Sequence, residues 1–246
     1  MTRHFLVVGA QRSGTTWLHD RLAGHPGIAM ARPATPEPKV FLSREPVDAD
    51  DYRARFFGHA GPDALLGEKS TSYLESATAP DRVAEALGEA QIVVQLRDPV
   101  ARAVSNWSFS RDHGVERRPL AEALRANLDG PVPWDPEASS VSPFAYLERG
   151  RYAGDVARWR ERFPVHVQFL EEMLVEPARL GALFSWLGVA DDVRPGGDEP
   201  VNASSTVGDE IDDELMARLR DYFADSDAAL AQMLGRDLPW TDRQDR

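Results

Sequence analysis

The chain contains no cysteine, and only two of its 28 basic residues, Lys39 and Lys69, are lysine. Without cysteine there is no disulfide framework and no thiolate metal site, which excludes a small stapled fold and a cysteine-ligated zinc module. The six histidines form no spaced pair. Long apolar runs are missing as well. The N-terminal run is only Phe5-Leu6-Val7-Val8, too short for a signal-peptide core, and nothing approaches the roughly 18 residues of a membrane span. A basic face is also lacking. The formal net charge of −12 argues against a general nucleic-acid binder and, more weakly, against a polyanionic acceptor that the acidic far field would repel. These absences lead us to expect a cytoplasmic protein with neither a membrane nor a nucleic-acid partner.

What is present reads as a globular α/β chain. Of the 246 residues, 42% are hydrophobic and 28% charged, with no internal repeat and no low-complexity tract. A chain of this length buries about three quarters of its unfolded surface, and a single domain over 1–246 is expected. Short apolar runs bounded by polar residues or glycine predict strands at 4–8, 91–96 and 165–170, with weaker ones near 28–31 and 64–67. Between them, apolar residues at helical spacing predict helices at 15–24, 80–88, 99–109, 119–128, 151–163, 176–187, 211–223 and 226–234. Such alternation means a central parallel sheet flanked by helices, whose ligands sit beyond the carboxyl ends of the strands. Two stretches without periodicity, 129–144 and 190–209, are long enough to be lids or binding loops. The acidic run from Asp209 to Glu214 suits a helix start better than a cation site.

Residues Gly9-Ala10-Gln11-Arg12-Ser13-Gly14-Thr15-Thr16 follow the first strand run and open the first helical pattern. Strand, glycine turn and helix start together aim backbone N–H groups and the positive end of a helix dipole at an anion. Gly9 and Gly14 have the spacing of the nucleotide-triphosphatase loop, but Thr15 stands where its lysine would be. The cation lies inside the loop, at Arg12. A phosphate that needs neither metal nor a terminal-phosphate lysine fits this loop better than ATP does. Arg97-Asp98-Pro99 supplies a second anion site: Asp98 is a good N-cap, Pro99 suits the first helical position, and Arg97 joins Ser105 further along the helix. Taken alone, Arg97 reads equally well as a structural ion-pair residue and Ser105 as a small packing residue.

Together, the Gly9–Thr16 loop and Leu96-Arg97-Asp98-Pro99 with Ser105 resemble the phosphate-binding segments of the sulfotransferases that use 3′-phosphoadenosine-5′-phosphosulfate (PAPS). The closest branch is that of the heparan-sulfate and related carbohydrate enzymes, in a bacterial variant. The resemblance implies an α/β, P-loop-like fold and metal-free use of PAPS, with release of 3′,5′-ADP (PAP). It places Arg12, Ser13, Gly14, Thr15 and Thr16 at the 5′-phosphosulfate, with Arg12 where many members carry a catalytic lysine. It assigns Arg97 and Ser105 to the 3′-phosphate and Tyr152 to a position near the nucleotide. Ser204 and Ser205 fall where the family often has a basic loop over the 3′-phosphate, a departure that replaces charge with hydroxyls.

Two further segments resemble the carbohydrate branch. Glu37-Pro38-Lys39-Val40-Phe41 matches a stretch whose glutamate is the general base, which makes Glu37 the base and Lys39 and Phe41 acceptor-pocket residues. Glu68-Lys69-Ser70-Thr71-Ser72-Tyr73 matches a stretch whose lysine lies beside the reacting group, which makes Lys69 catalytic. No histidine occurs between His59 and Arg97 to serve the branch that uses a histidine base. Plainer readings stand beside these: a solvated loop carboxylate for Glu37, a surface lysine for Lys69, core aromatics for Tyr152 and Trp159. The function implied is sulfuryl transfer from PAPS to a hydroxyl of a small-molecule or glycan acceptor. The alternatives are a P-loop kinase or NTPase, which lacks its lysine here, and a non-catalytic nucleotide-binding module.

Overall fold

A computed structural model of the chain describes residues 3–135, 141–176, 178–193 and 211–241. Five strands, β1 (His4–Gly9), β2 (Ile28–Met30), β3 (Leu65–Lys69), β4 (Gln91–Leu96) and β5 (Val165–Phe169), form one sheet in the order β2-β3-β1-β4-β5. Every pairing is parallel. The helices are α1 (Thr15–Ala23), α2 (Ala49–Phe57), α3 (Ala79–Leu87), α4 (Pro99–Asp112), α5 (Leu120–Leu128), α6 (Tyr152–Arg160), α7 (Leu170–Val175), α8 (Ala178–Leu187) and α9 (Asp213–Leu234). All five strands fall where the short apolar runs predict them. Parallel sheets are covered on both faces, so their central strands read as continuous apolar runs. The central strand β1 is buried at each of its residues.

By packing, the chain divides into two compact units. The first, Met1–Leu96 with Asp155–Val201, holds the sheet. Its core joins Phe5, Val7, Leu18 and Leu22 to Leu183, Phe184 and Leu187, each such side chain contributing about 1.5–3 kcal/mol by leaving water. The second, Arg97–Gly154 with Asn202–Arg246, is helical among its described residues. Its core packs Val100, Trp107, Leu124, Tyr146, Leu219 and Phe223.

Several elements differ from the sequence reading, and for three of them the physical reason is plain. Helix α9 runs unbroken over 22 residues where two helices are expected, because Leu219, Phe223, Ser226 and Leu230 continue one buried face through the polar stretch. It starts as its acidic run implies: the Asp212 carboxylate accepts the Leu215 N–H at 2.7 Å. Helix α2 follows a proline-rich approach that obscures its period. There Asp48 caps the Asp50 and Asp51 N–H groups, each at 2.9 Å, and Tyr52, Phe56 and Phe57 form the buried face. Strand β5 stops one residue early because Leu170 begins α7, whose first turn carries Glu171 and Glu172. Of the two long loops, residues 129–135 and 141–144 are irregular, whereas 136–140 and 194–209 lie outside the described residues.

Candidate active site

The phosphate loop is shaped by two glycines and anchored by buried glutamines. Gly14, the N-cap of α1, has φ 76°, and a Cβ there would lie 2.6 Å from Leu170 Cδ1, so conformation and space both demand glycine. At Gly9 a Cβ would meet Leu74 Cβ at 2.7 Å and the Thr71 carbonyl oxygen at 3.2 Å. Arg12 takes the left-handed conformation too, with φ 69°. The Ala10 N–H donates to the Gln95 carbonyl at 2.7 Å. Gln95 Nε2 donates to the Ser13 carbonyl at 2.7 Å, and Gln168 Nε2 donates to Gln95 Oε1 at 2.9 Å. The loop is thus tied to β4 through the Ala10 N–H and the Ser13 carbonyl, and through Gln95 to β5.

Further polar groups of the loop gather at the start of α1. Gly14 gives α1 no side-chain cap, so the first-turn N–H groups look to an external acceptor. Ser13 is fully buried and its hydroxyl finds no hydrogen-bond partner. Thr15 is buried, while Arg12 and Thr16 are half-buried.

The expected base and lysine are brought together across 32 residues of sequence. Lys69 Nζ donates to Glu37 Oε1 at 2.7 Å. Thr71 donates to Glu37 Oε2 through its N–H at 3.0 Å, and its hydroxyl lies 3.1 and 3.2 Å from the two oxygens. The side chains of Lys69 and Glu37 are only 9% and 17% exposed. Segment 70–74 continues from β3 along the end of β1, with Ser70 N–H on the Val7 carbonyl at 3.1 Å and Leu74 N–H on the Val8 carbonyl at 2.9 Å. The clamped carboxylate and the phosphate loop therefore leave the same edge of the sheet.

Beneath Glu37 lies a second carboxylate that sequence reasoning passed over. Glu68 is 1% exposed and accepts hydroxyls from Tyr52 and Ser70, both at 2.6 Å. Burial raises its pKa, against the pull of its bonds to Ser70, Tyr52 and Tyr73. Lys39, with φ 51°, donates its N–H to Ser70 Oγ at 3.0 Å. Phe41 corrects one expectation. It is fully buried, with its ring 5.3 Å from Tyr52 and 5.7 Å from Tyr73, and so is a core residue of this segment instead of an acceptor wall. The signal that finds Gln95, Gln168 and Glu68 is a polar residue inside an otherwise apolar strand run, whereas Thr71, just beyond β3, carries no such signal.

In the helical unit, Arg97 and Ser105 are half-buried, with Ser105 on α4. Asp98 caps α4 through the Val100 N–H at 2.9 Å. It also accepts both Arg220 Nη atoms, at 2.7 and 2.8 Å, a bidentate pair that fixes the residue after Arg97. Tyr152 is 1% exposed and donates its hydroxyl to the Arg97 carbonyl at 2.9 Å; here it holds the arginine's backbone. Ser204 and Ser205 lie outside the described residues. Among the described residues no cluster of three or more metal-ligating side chains occurs, and no helix is long and apolar enough to cross a membrane.

A five-stranded parallel sheet flanked by helices, with a lysine-free glycine loop at its carboxyl edge, defines an α/β protein of the P-loop-like class. Residues 2–153 match the family model described as a sulfotransferase domain, and the chain belongs to that family. Human heparan sulfate glucosamine 3-O-sulfotransferase 3B1 is 23% identical over 266 residues, covering 96% of this chain and 64% of its own length. Human bifunctional heparan sulfate N-deacetylase/N-sulfotransferase 2 is 32% identical over 173 residues, 65% of this chain. Its Caenorhabditis briggsae counterpart, N-deacetylase/N-sulfotransferase 1, is 27% identical over 198 residues, 76% of this chain. The chain spans only 18% and 22% of those two bifunctional relatives and less than two thirds of the 3-O-sulfotransferase. A solved sulfotransferase from Alicyclobacillus acidocaldarius, 24% identical, matches with a TM-score of 0.76 over 97% of this chain and 98% of that one, a likeness of fold. Family membership favours sulfuryl transfer over the kinase alternative.

Proposed function

We propose that this chain moves the sulfuryl group of PAPS to a hydroxyl on a small-molecule or glycan acceptor, with Glu37 as general base and PAP as product. The observation that carries the reading is the clamp on Glu37. A carboxylate offers about four lone-pair sites. Lys69, the Thr71 N–H and the Thr71 hydroxyl occupy three, which leaves one directed acceptor site for a substrate O–H. As the acceptor oxygen bonds to sulfur, its proton passes to Glu37, and the bond from sulfur to the 5′-phosphate oxygen breaks. Arg12, Ser13, Thr15, Thr16 and the N–H groups around Gly14 would stabilise the charge left on that phosphate. Arg97 and Ser105 take the 3′-phosphate, with Tyr152 behind Arg97, and no metal is required. Lys39 belongs to the acceptor side.

The heparan-sulfate enzymes among its relatives support a sugar hydroxyl or amine as acceptor class, while the net charge of −12 supports a short or uncharged acceptor over a long polyanion. The arginine-biased composition supports a bacterium of high GC content as the source, and the cysteine-free chain is compatible with a reducing, cytoplasmic setting. Thermal melting with PAP, and separately with Mg-ATP, tests the donor assignment. PAP alone at 100 times its Kd should raise Tm by about 5–10 °C. A shift with Mg-ATP and none with PAP would return the chain to the kinases.

A further inference from the structure

Glu68 sits on β3, and three hydroxyls converge on its carboxylate, those of Tyr52, Ser70 and Tyr73. Two of these hydroxyls also meet the main chain. Ser70 Oγ accepts the Lys39 N–H at 3.0 Å and the Tyr73 hydroxyl oxygen accepts the Phe41 N–H at 3.1 Å. An N–H only donates, and each hydroxyl has a single proton, so the Ser70 proton goes to Glu68 and the Tyr73 proton is left to turn toward the same carboxylate. Residues 37, 39 and 41 are then tied in turn to the strand and its continuation: Glu37 to Lys69 and Thr71, Lys39 to Ser70, Phe41 to Tyr73. Burying a carboxylate is costly, and a neutral side chain of the same shape could not accept from every side.

We propose that Glu68 is a positioning residue for Glu37: its buried carboxylate fixes the direction of the Ser70 and Tyr73 hydroxyls, whose oxygens strap segment 37–41 in place. The proposal rests on the reading of Glu37 as the base. Glu68→Gln replaces one acceptor oxygen with a donor that competes for the same hydroxyls.

Hydrogen exchange on the ligand-free protein reads the strap directly. In Glu68→Gln the Lys39 and Phe41 amides should exchange about tenfold faster, the consequence of weakening one hydrogen bond each. Ser70→Ala should release the Lys39 amide alone and Tyr73→Phe the Phe41 amide alone, and these two carry the same test should Glu68→Gln fail to fold. In turnover, read as PAP released from PAPS with a heparan-type oligosaccharide as acceptor probe, Glu68→Gln should lower kcat by up to about a hundredfold, the scale of a small misplacement of a catalytic group. PAP affinity should stay at the wild-type value. In a Glu37→Gln background the same change should cost nothing more, because it acts through Glu37. Unchanged exchange at Lys39 and Phe41 would overturn the proposal, and so would a turnover loss that persists in full without Glu37. Wild-type turnover in Glu37→Gln alone would remove Glu37 as base, leaving the exchange result to decide whether Glu68 holds the segment.

Discussion

In the sheet unit, buried polar side chains stand at the ends of strands and bond to one another: Glu68 to its hydroxyls, Gln95 to Gln168 and to the Ser13 carbonyl. In the helical unit two buried carboxylates pair by charge instead, Asp98 at the start of α4 with Arg220 and Glu116 in a turn with Arg118. Strand ends lie side by side, so short side chains from neighbouring strands reach one another and build a network with defined hydrogen-bond directions. A carboxylate at a helix start carries the favourable pull of the helix dipole, and a long arginine from another helix, Arg220 here, can reach it as an ion pair. A group that must hold a proton acceptor in one orientation is better served by the first arrangement. A group that recognises the charge of a phosphate is well served by the second. The assignment of Glu37 to the sheet unit and of Arg97 to the helical unit follows that division.

The sharpest break in the comparison is Glu37→Gln. Turnover should fall about 10²–10⁴-fold, the range for loss of a general base, while PAP titrates as in the wild type. Weakened PAP binding at unchanged turnover would move Glu37 from the acceptor side to the donor side. Gly14→Ala attacks the same unit at the phosphate loop. With φ 76° and Leu170 Cδ1 2.6 Å from the added Cβ, it should cost about 1–3 kcal/mol of stability and weaken PAP, yet leave amide exchange at Lys39 and Phe41 unaltered. Faster exchange there would mean that loop and clamp are one mechanical piece. Arg97→Ala moves to the helical unit. It should weaken PAP about ten- to a hundredfold, the loss of charge-assisted hydrogen bonds, and leave 5′-AMP, which lacks the 3′-phosphate, nearly unaffected. Equal weakening of both nucleotides would refute the role given to Arg97.

The two units were unequally legible before their structure. In the sheet unit, the strands and the Gly9–Gly14 loop are written as consecutive residues with a period or a spacing, and such signals survive in a single sequence. Glu37 and Lys69 were reachable only through resemblance, since nothing local says that residues 32 apart will meet at 2.7 Å. The Glu68 strap was not reachable at all. Its parts look like ordinary strand and loop residues until Ser70 and Tyr73 are seen bridging to the Lys39 and Phe41 amides. Phe41 misled for the same reason, because its burial against Tyr52 and Tyr73 is a tertiary fact. In the helical unit the Asp98-Pro99 helix start was plain from local chemistry, whereas its bidentate partner Arg220 lies 122 positions away. The unbroken course of α9 depends on a buried face that its polar centre disguises.

The smallest effect expected is also the one that sets the units most directly against each other, because each carries a buried titratable group of opposite sense. His4 on β1 is 3% exposed, and its Nε2 accepts from Arg53 Nε at 3.1 Å. Burial, and then the Arg53 charge, hold its pKa down at about 4, against about 6.5 in an unfolded chain. The unfolded chain therefore binds more protons in that window, and this contribution to stability is lost as pH falls from about 6.5 toward 4. Asp227 on α9 does the reverse. Burial pushes its pKa up to about 6, against the pull of its bond from Trp240, whose Nε1 donates to Oδ2 at 2.9 Å while the buried Oδ1 has no partner. The native chain keeps this proton longer, so the contribution is present below about pH 4 and lost as pH rises through about 6. Allowing for partial exposure, each amounts to about 1–2 kcal/mol. Asp227→Asn should thus raise stability by about 1–2 kcal/mol at pH 8 and by well under half of that at pH 4.5. His4→Gln should do the opposite, with its gain at pH 4.5 and little change at pH 8. A midpoint that moves equally at both pH values in either variant would mean that shape, and not charge, is what that unit selects at the position.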